Sequence, residues 1–171
     1  MSANPSQPSV ATLDRRGSRG QLGEAEIRVF VDAVVHYFQQ VGGDGATVRA
    51  AFLADDQLSA PTSDYTGLIT VSGAYVGSVY FSAPSLLLRQ LLMTMKERAS
   101  HDSYLDAVGE IANTIAGNAR RHFTEKLEIS VPVAFAGPAV DIRTAVRARP
   151  LVLTVEWRAL QAIVVIDVAA A

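Results

Sequence analysis

The most informative segment of the chain spans residues 105–123 and reads LDAVGEIANTIAGNARRHF. At about 100° per residue, its apolar side chains share one arc about 120° wide, which is typical of a helix packed on a core. These side chains are Leu105, Val108, Ile111, Ala112, Ile115, Ala119 and Phe123. The opposite side carries a polar stripe of Asp106, Glu110, Asn113 and Gly117. Because Asn and Gly are poor helix formers, the stripe indicates a surface on which another molecule docks.

The composition of the whole chain predicts one globular domain. The 171 residues are 49% hydrophobic, carry a net charge of −2 and include no cysteine. This charge argues against a nucleic-acid partner, and no apolar run is long enough for a membrane span. Residues 1–22 are rich in Ser, Pro, Gly and Arg and contain no signal-like apolar run. We therefore expect a disordered tail over 1–22, a single domain over 23–171 and a cytoplasmic location.

Periodicity along the chain predicts an α+β fold. Apolar residues at helical spacing predict helices at 24–41, 84–98 and 105–126. Short β-branched segments predict strands at 47–54, 65–72, 74–82, 131–136, 139–146, 151–157 and 162–168. Turn signals at 72–73 and 158–161 indicate hairpins, whose strands pair antiparallel. Because the elements come in blocks, we expect a largely antiparallel sheet of about six strands, packed by two or three helices.

Several common chemistries find no support in the sequence. His36, His101 and His122 lie in separate segments, so no metal site is predicted. We interpret His36 as half-buried beside an apolar stripe, and Asp102 or Ser103 as a helix cap. The chain lacks a cysteine nucleophile and a Gly-x-Ser-x-Gly elbow. The two carboxylates of the stripe share one helix face, whereas the carboxylate pair of a glycosidase flanks its substrate.

The stripe itself favours a role in phosphoryl transfer. The Asn113 amide has both a donor and an acceptor, so it can orient a water molecule without taking its proton. Positioning of this kind supplies much of the rate in phosphoryl transfer. The Glu110 carboxylate, one turn away, can hold a cation such as a lysine of a partner. Because neither group is a nucleophile or holds a phosphate, the phosphoryl group would belong to a protein substrate.

The motif Asp106-x-x-Gly109-Glu110-Ile111-x-Asn113-x-x-x-Gly117-Asn118-Ala119 resembles the signature of the CheC/CheX/FliY chemotaxis phosphatases. It is most similar to the CheX branch, and the likeness extends over about 24–168. The resemblance implies a CheC/CheX-like fold and a hydrolase acting on the aspartyl phosphate of a CheY-like receiver domain. On it, Asn113 positions the attacking water and Glu110 pairs with the receiver lysine.

The resemblance also implies how the partner is held. Asp106, Gly117, Thr114 and Arg121 are expected to contact the receiver, with Gly117 allowing a close approach. Mg²⁺ is expected on the receiver, with no metal or cofactor bound by this chain. A homodimer that joins sheet edges is implied for the CheX branch. The segment 120–122, Arg-Arg-His, is more basic than the motif leads one to expect, which bears on which receiver fits.

Two other functions remain compatible with the sequence. A non-catalytic module of the same fold could bind a receiver or a flagellar-switch component, and Glu110 would then matter where Asn113 would not. The protein could instead be a structural dimer whose polar stripe is inert surface.

Overall fold

The structure, a computed structural model, describes residues 22–54, 61–123, 127–138 and 149–171. Within these ranges three helices pack on a seven-stranded sheet. The helices are α1 (Glu24–Gly42), α2 (Ser85–Thr94) and α3 (His101–His122). The strands are β1 (Thr47–Leu53), β2 (Tyr65–Gly73), β3 (Tyr75–Ala83), β4 (Leu127–Ile129), β5 (Val133–Ala136), β6 (Leu151–Trp157) and β7 (Leu160–Ala170). None of these helices is long and apolar enough to cross a bilayer.

The sheet is antiparallel throughout, which confirms the predicted fold class. Its strand order is β1-β6-β7-β3-β2-β4, and β5 also pairs with β2. Both predicted hairpins form: β2 pairs with β3, and β6 turns into β7 through Arg158 and Ala159, whose φ angles are 50° and 60°. The short strand β4 was not predicted. The strand predicted at 139–146 lies outside the described residues.

The helices cover one face of the sheet. Their buried side chains join a large core that includes Phe38, Phe81 and Trp157. The opposite face carries a smaller cluster formed by Tyr80, Val152, Val165 and Ala54. The polar stripe of α3 therefore belongs to the helical side of the molecule, because the apolar side of α3 faces the large core.

Two helix boundaries differ from the sequence prediction. Helix α2 ends at Thr94, before the predicted residue 98, because Lys96 adopts φ 60°. The Lys96 N–H then bonds to the Met93 carbonyl, and the Glu97 N–H bonds to the Leu92 carbonyl at 2.8 Å. This is a Schellman motif, which usually requires glycine and here is formed around a lysine.

Helix α3 begins at His101, four residues before the predicted start. Its N-cap is Ser100, which forms a capping box with Ser103, so the predicted cap by Asp102 or Ser103 was wrong. The box satisfies backbone N–H groups that would otherwise lack partners in the first turn. The helix ends at His122, and residues 124–126 lie outside the described ranges.

Helix α3 lies unusually close to β2 at Gly67. A methyl group at Gly67 would lie 2.8 Å from the backbone N of Gly109 and would overlap the carbonyl group of Val108. Both groups belong to the helix backbone, which cannot turn aside as a flexible side chain would. Glycine is therefore required at this position for α3 to rest on the sheet.

Helix α1 runs antiparallel to α3. The rings of Phe30 and Phe123 lie 6.3 Å apart, which places the start of α1 beside the end of α3. Toward the other end of α1, Tyr37 lies close enough to Glu110 for the negative charge of Glu110 to raise the pKa of the Tyr37 phenol. Glycine at 43, with φ 71°, ends α1 as predicted.

Replacing Gly67 by alanine is expected to destabilise the fold by about 3 kcal/mol, because overpacking against backbone cannot relax by a rotamer change. Urea unfolding would measure the loss as a lower transition midpoint. Gly45→Ala is the matched control, since a methyl group there meets nothing within 4 Å. Equal midpoints for the two variants would contradict the close contact between α3 and β2.

Candidate functional site

Helix α3 presents its polar stripe away from the core. Glu110 and Asp106 are exposed, and Asn113 and Gly117 are partly exposed. The apolar residues of α3 are buried as predicted, except Leu105, which is half-buried. The stripe therefore brings the predicted catalytic pair to one accessible surface.

The remaining predicted partner-binding residues border the same stripe. Thr114 and Arg121 lie about 40° and 20° around the helix from Glu110. Thr114 is partly exposed and Arg121 is exposed. All six predicted site residues are thus on one side of α3.

The side chains of the predicted catalytic pair, Glu110 and Asn113, have no bonding partner among the described residues. Within the described ranges, Glu110 and Asn113 make no side-chain hydrogen bond or ion pair. By contrast, nearby polar groups such as Ser100 and Ser103 are used in capping. The amide and the carboxylate are therefore free to bind a water molecule or a partner.

Glu110 borders a concave site of about 500 Å³. Its lining includes Tyr37 of α1, Leu92 and Met95 at the end of α2, and Glu97. Pro132 and Ala134, at β5, also line it. Asp106 also lines the site, so three carboxylates, from Glu97, Asp106 and Glu110, surround one partly apolar hollow.

Tyr37 is a site residue that sequence reasoning missed. It is 6% exposed, and burial raises the pKa of its phenol to about 12, with the charges of Glu110 and Glu97 adding to the rise. The neutral phenol therefore stays beside the carboxylates over the whole physiological range. In the sequence Tyr37 is one more apolar position of α1, and nothing there links it to α3.

Glu97 was also missed, because the predicted second helix would have continued through it. The turn at Lys96 reverses the chain, and Glu97 then lines the hollow beside Glu110. A glycine after α2 would have signalled this turn, whereas a lysine gives no such indication.

The two glycines of the motif have different surroundings. A methyl group at Gly109 would lie 3.5 Å from Pro132, an ordinary contact. At Gly117 it would meet no atom of the described residues within 4 Å, so their packing does not require glycine there. The space above Gly117 is available to another molecule.

The described residues offer no metal site. Among them, no group of three or more His, Asp or Glu side chains could hold an ion together. His101 Nδ1 lies 3.0 Å from the hydroxyl group of Tyr65. His36 is exposed, so its interpretation as half-buried was wrong: it points away from the apolar stripe of α1 into a groove beside α3.

A long helix that rests on an antiparallel sheet and presents the stripe of Asp106, Glu110, Asn113 and Gly117 is the arrangement of a CheC/CheX-like domain. The model of the family described as "Chemotaxis phosphatase CheX" matches residues 65–156, which is more than half of the chain. The chain belongs to the CheX chemotaxis phosphatase family. No curated protein matches it by sequence.

Solved structures share the fold at low sequence identity. The chemotaxis protein CheX from Vibrio vulnificus is 19% identical with a TM-score of 0.68, covering 84% of this chain and 99% of that one. CheX in the CheX–CheY–BeF3–Mg²⁺ complex from Borrelia burgdorferi is 17% identical with a TM-score of 0.62, covering 85% and 96%. FliY from Thermotoga maritima is 16% identical with a TM-score of 0.57, covering 85% and 91%.

The placement of Tyr37 beside Glu110 can be tested without any partner. Glu110→Gln is expected to lower the pKa of Tyr37, because a negative charge that opposes phenolate formation is removed. The pKa should stay above the ordinary 10.0, since burial is the larger cause. A titration followed by NMR of ¹³C-labelled tyrosine measures the change.

The control is Glu24→Gln. Glu24 is at the start of α1, about 20 Å along the helix axis from Tyr37. The control should leave the Tyr37 pKa where it is. An unchanged pKa in Glu110→Gln as well would contradict the proximity of α1 and α3 at this point.

Proposed function

We propose that this chain hydrolyses the aspartyl phosphate of a CheY-like receiver domain in the cytoplasm. The observation that carries the proposal is the pair of uncommitted side chains, Glu110 and Asn113, on the exposed stripe of α3 in a member of a phosphatase family. The CheX–CheY complex among the structural neighbours supports a receiver as the partner.

Asn113 is proposed to position the attacking water. Its amide can accept a hydrogen bond from the water and donate one to the phosphoryl group. The water oxygen then attacks phosphorus in line, the bond between phosphorus and the aspartyl oxygen breaks, and the products are inorganic phosphate and a free carboxylate. No covalent intermediate on this chain is needed, which agrees with the lack of a nucleophile on the stripe.

Glu110 is proposed to pair with the receiver lysine. The hollow beside Glu110 suits an ammonium group on an apolar stem, because Leu92, Met95 and Pro132 can contact the stem. Asp106 and Glu97 add negative charge to the same hollow. The hydroxyl group of Tyr37 is neutral and does not compensate this negative charge, so the charge remains available to the receiver lysine.

The remaining groups are proposed to hold the complex. The open space above Gly117 is proposed to admit the receiver backbone, with Thr114 and Arg121 contacting the receiver on either side of that point. Asp106 is proposed to contact the receiver at the other end of the stripe, about 16 Å along the helix. Mg²⁺ is assigned to the receiver, where it would neutralise charge on the phosphoryl group. This chain would supply only the orientation of water and partner.

A homodimer that joins sheet edges is also proposed. Strand β1 is an edge strand of the sheet, and six of its seven residues are exposed. Phe52 and Leu53 on this edge are 46% and 38% exposed. The strands at the opposite edge, β4 and β5, have three and four residues. Because long apolar edges pair readily, β1 is the better candidate for the joint.

Asn113→Ala is expected to lower the rate constant for phosphate release about a hundredfold or more, because the water loses its orientation. The fold should keep its thermal midpoint or gain slightly, since alanine is the better helix former. Gln40→Ala, which removes an exposed amide from α1, is the control and should keep full activity. Release of phosphate at the wild-type rate by Asn113→Ala would overturn the proposed role.

Glu110→Gln separates catalysis from binding. It should raise the KM for the phosphorylated receiver about tenfold, because the ion pair with the lysine is lost. A receiver-binding module without activity would show the same loss of affinity, but its wild type would release no phosphate. The two measurements together distinguish a phosphatase from such a module.

Phe52→Lys is expected to convert the dimer to a monomer, because a charge on an edge strand opposes pairing. Sedimentation velocity at micromolar concentration would measure the change. Leu86→Lys is the control, as Leu86 is 52% exposed on α2, away from both edges. A wild-type monomer, or a dimer that tolerates lysine at residue 52, would contradict a joint at β1.

A further inference from the structure

A groove of about 900 Å³ runs between α1 and the C-terminal half of α3. Its lining includes four basic side chains: Arg28 and His36 on α1, and Arg121 and His122 on α3. Among the residues that the structure describes, Asp32 is the one acidic residue that lines it. The groove therefore has a positive balance in a chain whose net charge is −2.

The two arginines of the groove are not neutralised by the protein. In the part of the chain that the structure describes, the ion pairs are Arg49–Glu156 and Arg158–Asp44, and neither Arg28 nor Arg121 has one. Both arginines are exposed. Guanidinium groups that are planar, charged and unpaired suit carboxylates, which they can bind with two parallel hydrogen bonds.

The groove is continuous with the proposed catalytic surface. Arg121 lies on the stripe one turn beyond Gly117, and about 16 Å along the helix from Glu110. The stripe is thus acidic at one end, around Asp106 and Glu110, and basic at the other. A partner that lies along it meets opposite charges at its two ends.

The possible occupants differ in charge. Residues 1–21 of this chain contain three arginines and one aspartate, so this segment would be repelled. A nucleic acid would meet the acidic end of the same stripe, only about 16 Å away. An acidic protein segment that has a lysine at a matching distance suits both ends.

We infer that the α1–α3 groove binds an acidic segment of the receiver protein, and that this contact sets the direction in which the receiver lies along α3. The inference rests on the proposed function for the identity of the partner. The receiver then has only one orientation along α3 in which its lysine meets Glu110 and its carboxylates meet Arg28 and Arg121. The reversed orientation would place like charges together, which costs affinity.

The first test uses a fluorescein-labelled hexaglutamate peptide, which probes the groove without any receiver. Fluorescence anisotropy at low salt should detect binding to the wild type. The double variant Arg28→Glu/Arg121→Glu should bind at least about tenfold more weakly. Arg89→Glu, an exposed arginine of α2 outside the groove, is the matched control and should bind like the wild type.

The second test uses a phosphorylated receiver that the wild type hydrolyses. The double variant should raise KM about tenfold while kcat stays within about twofold, because the groove orients the partner and does not touch the phosphoryl group. Arg121→Lys, which keeps the charge, should recover part of the affinity. Circular dichroism should be unchanged, since both arginines are on the surface.

Several results would overturn the inference. Equal peptide binding by the wild type and the double variant would do so, as would a DNA oligonucleotide that binds the groove as tightly as the peptide. A change in sedimentation with KM unaffected would assign the groove to a second copy of the chain. If the wild type hydrolyses no receiver phosphate, the proposed function fails, and the peptide titration still decides whether the groove binds acidic segments.

Discussion

The backbone contact between β2 and α3 is the constraint on which the site depends. At Gly67 the strand offers no Cβ atom, so the carbonyl group of Val108 can lie directly against it. This contact sets how closely α3 approaches the sheet at β2. Once Ile111 and Ile115 are turned into the core, helical geometry places Glu110 and Asn113 on the outer side. The outward position of Glu110 and Asn113 is therefore a consequence of which side of α3 packs on the sheet.

The site consists of a surface rather than an enclosed pocket, and this suits a partner that brings its own chemistry. Judged on the described residues, α3 offers an unpaired amide, an unpaired carboxylate and open space above a glycine. Around them, the turn at Lys96 and the antiparallel packing of α1 supply Glu97 and Tyr37. The acidic hollow and the basic groove then lie at opposite ends of one stripe. In the proposed complex, their separation would give the receiver a direction as well as a position.

Much of this arrangement was predictable, because the periodicity of α3 depends on local sequence alone. Its buried arc, its polar stripe and the hairpin of β2 and β3 all follow from residue patterns. The ends of helices and strands that are set by tertiary contacts or by unusual backbone angles did not follow from these patterns. Lys96 ends α2 in a conformation that favours glycine, and β4 has only three residues.

Contacts between elements distant in sequence were the least predictable. The position of Tyr37 beside Glu110 depends on the direction in which α1 crosses α3, and no local pattern encodes it. The same crossing turns His36 outward into the groove, against the sequence-based interpretation. The basic segment 120–122 at the end of α3 was evident in the sequence, but only the fold shows that it lines the same groove as Arg28.

The most direct test of the account is an NMR titration of the ¹⁵N-labelled chain with a beryllofluoride-activated CheY-like receiver. Its central claim is that the receiver lies along the outer side of α3. The account predicts that the largest shift changes fall on backbone amides from 106 to 121, with little change on the sheet face formed by Tyr80, Val152 and Val165. Changes confined to that face or to β1, with α3 unaffected, would contradict it.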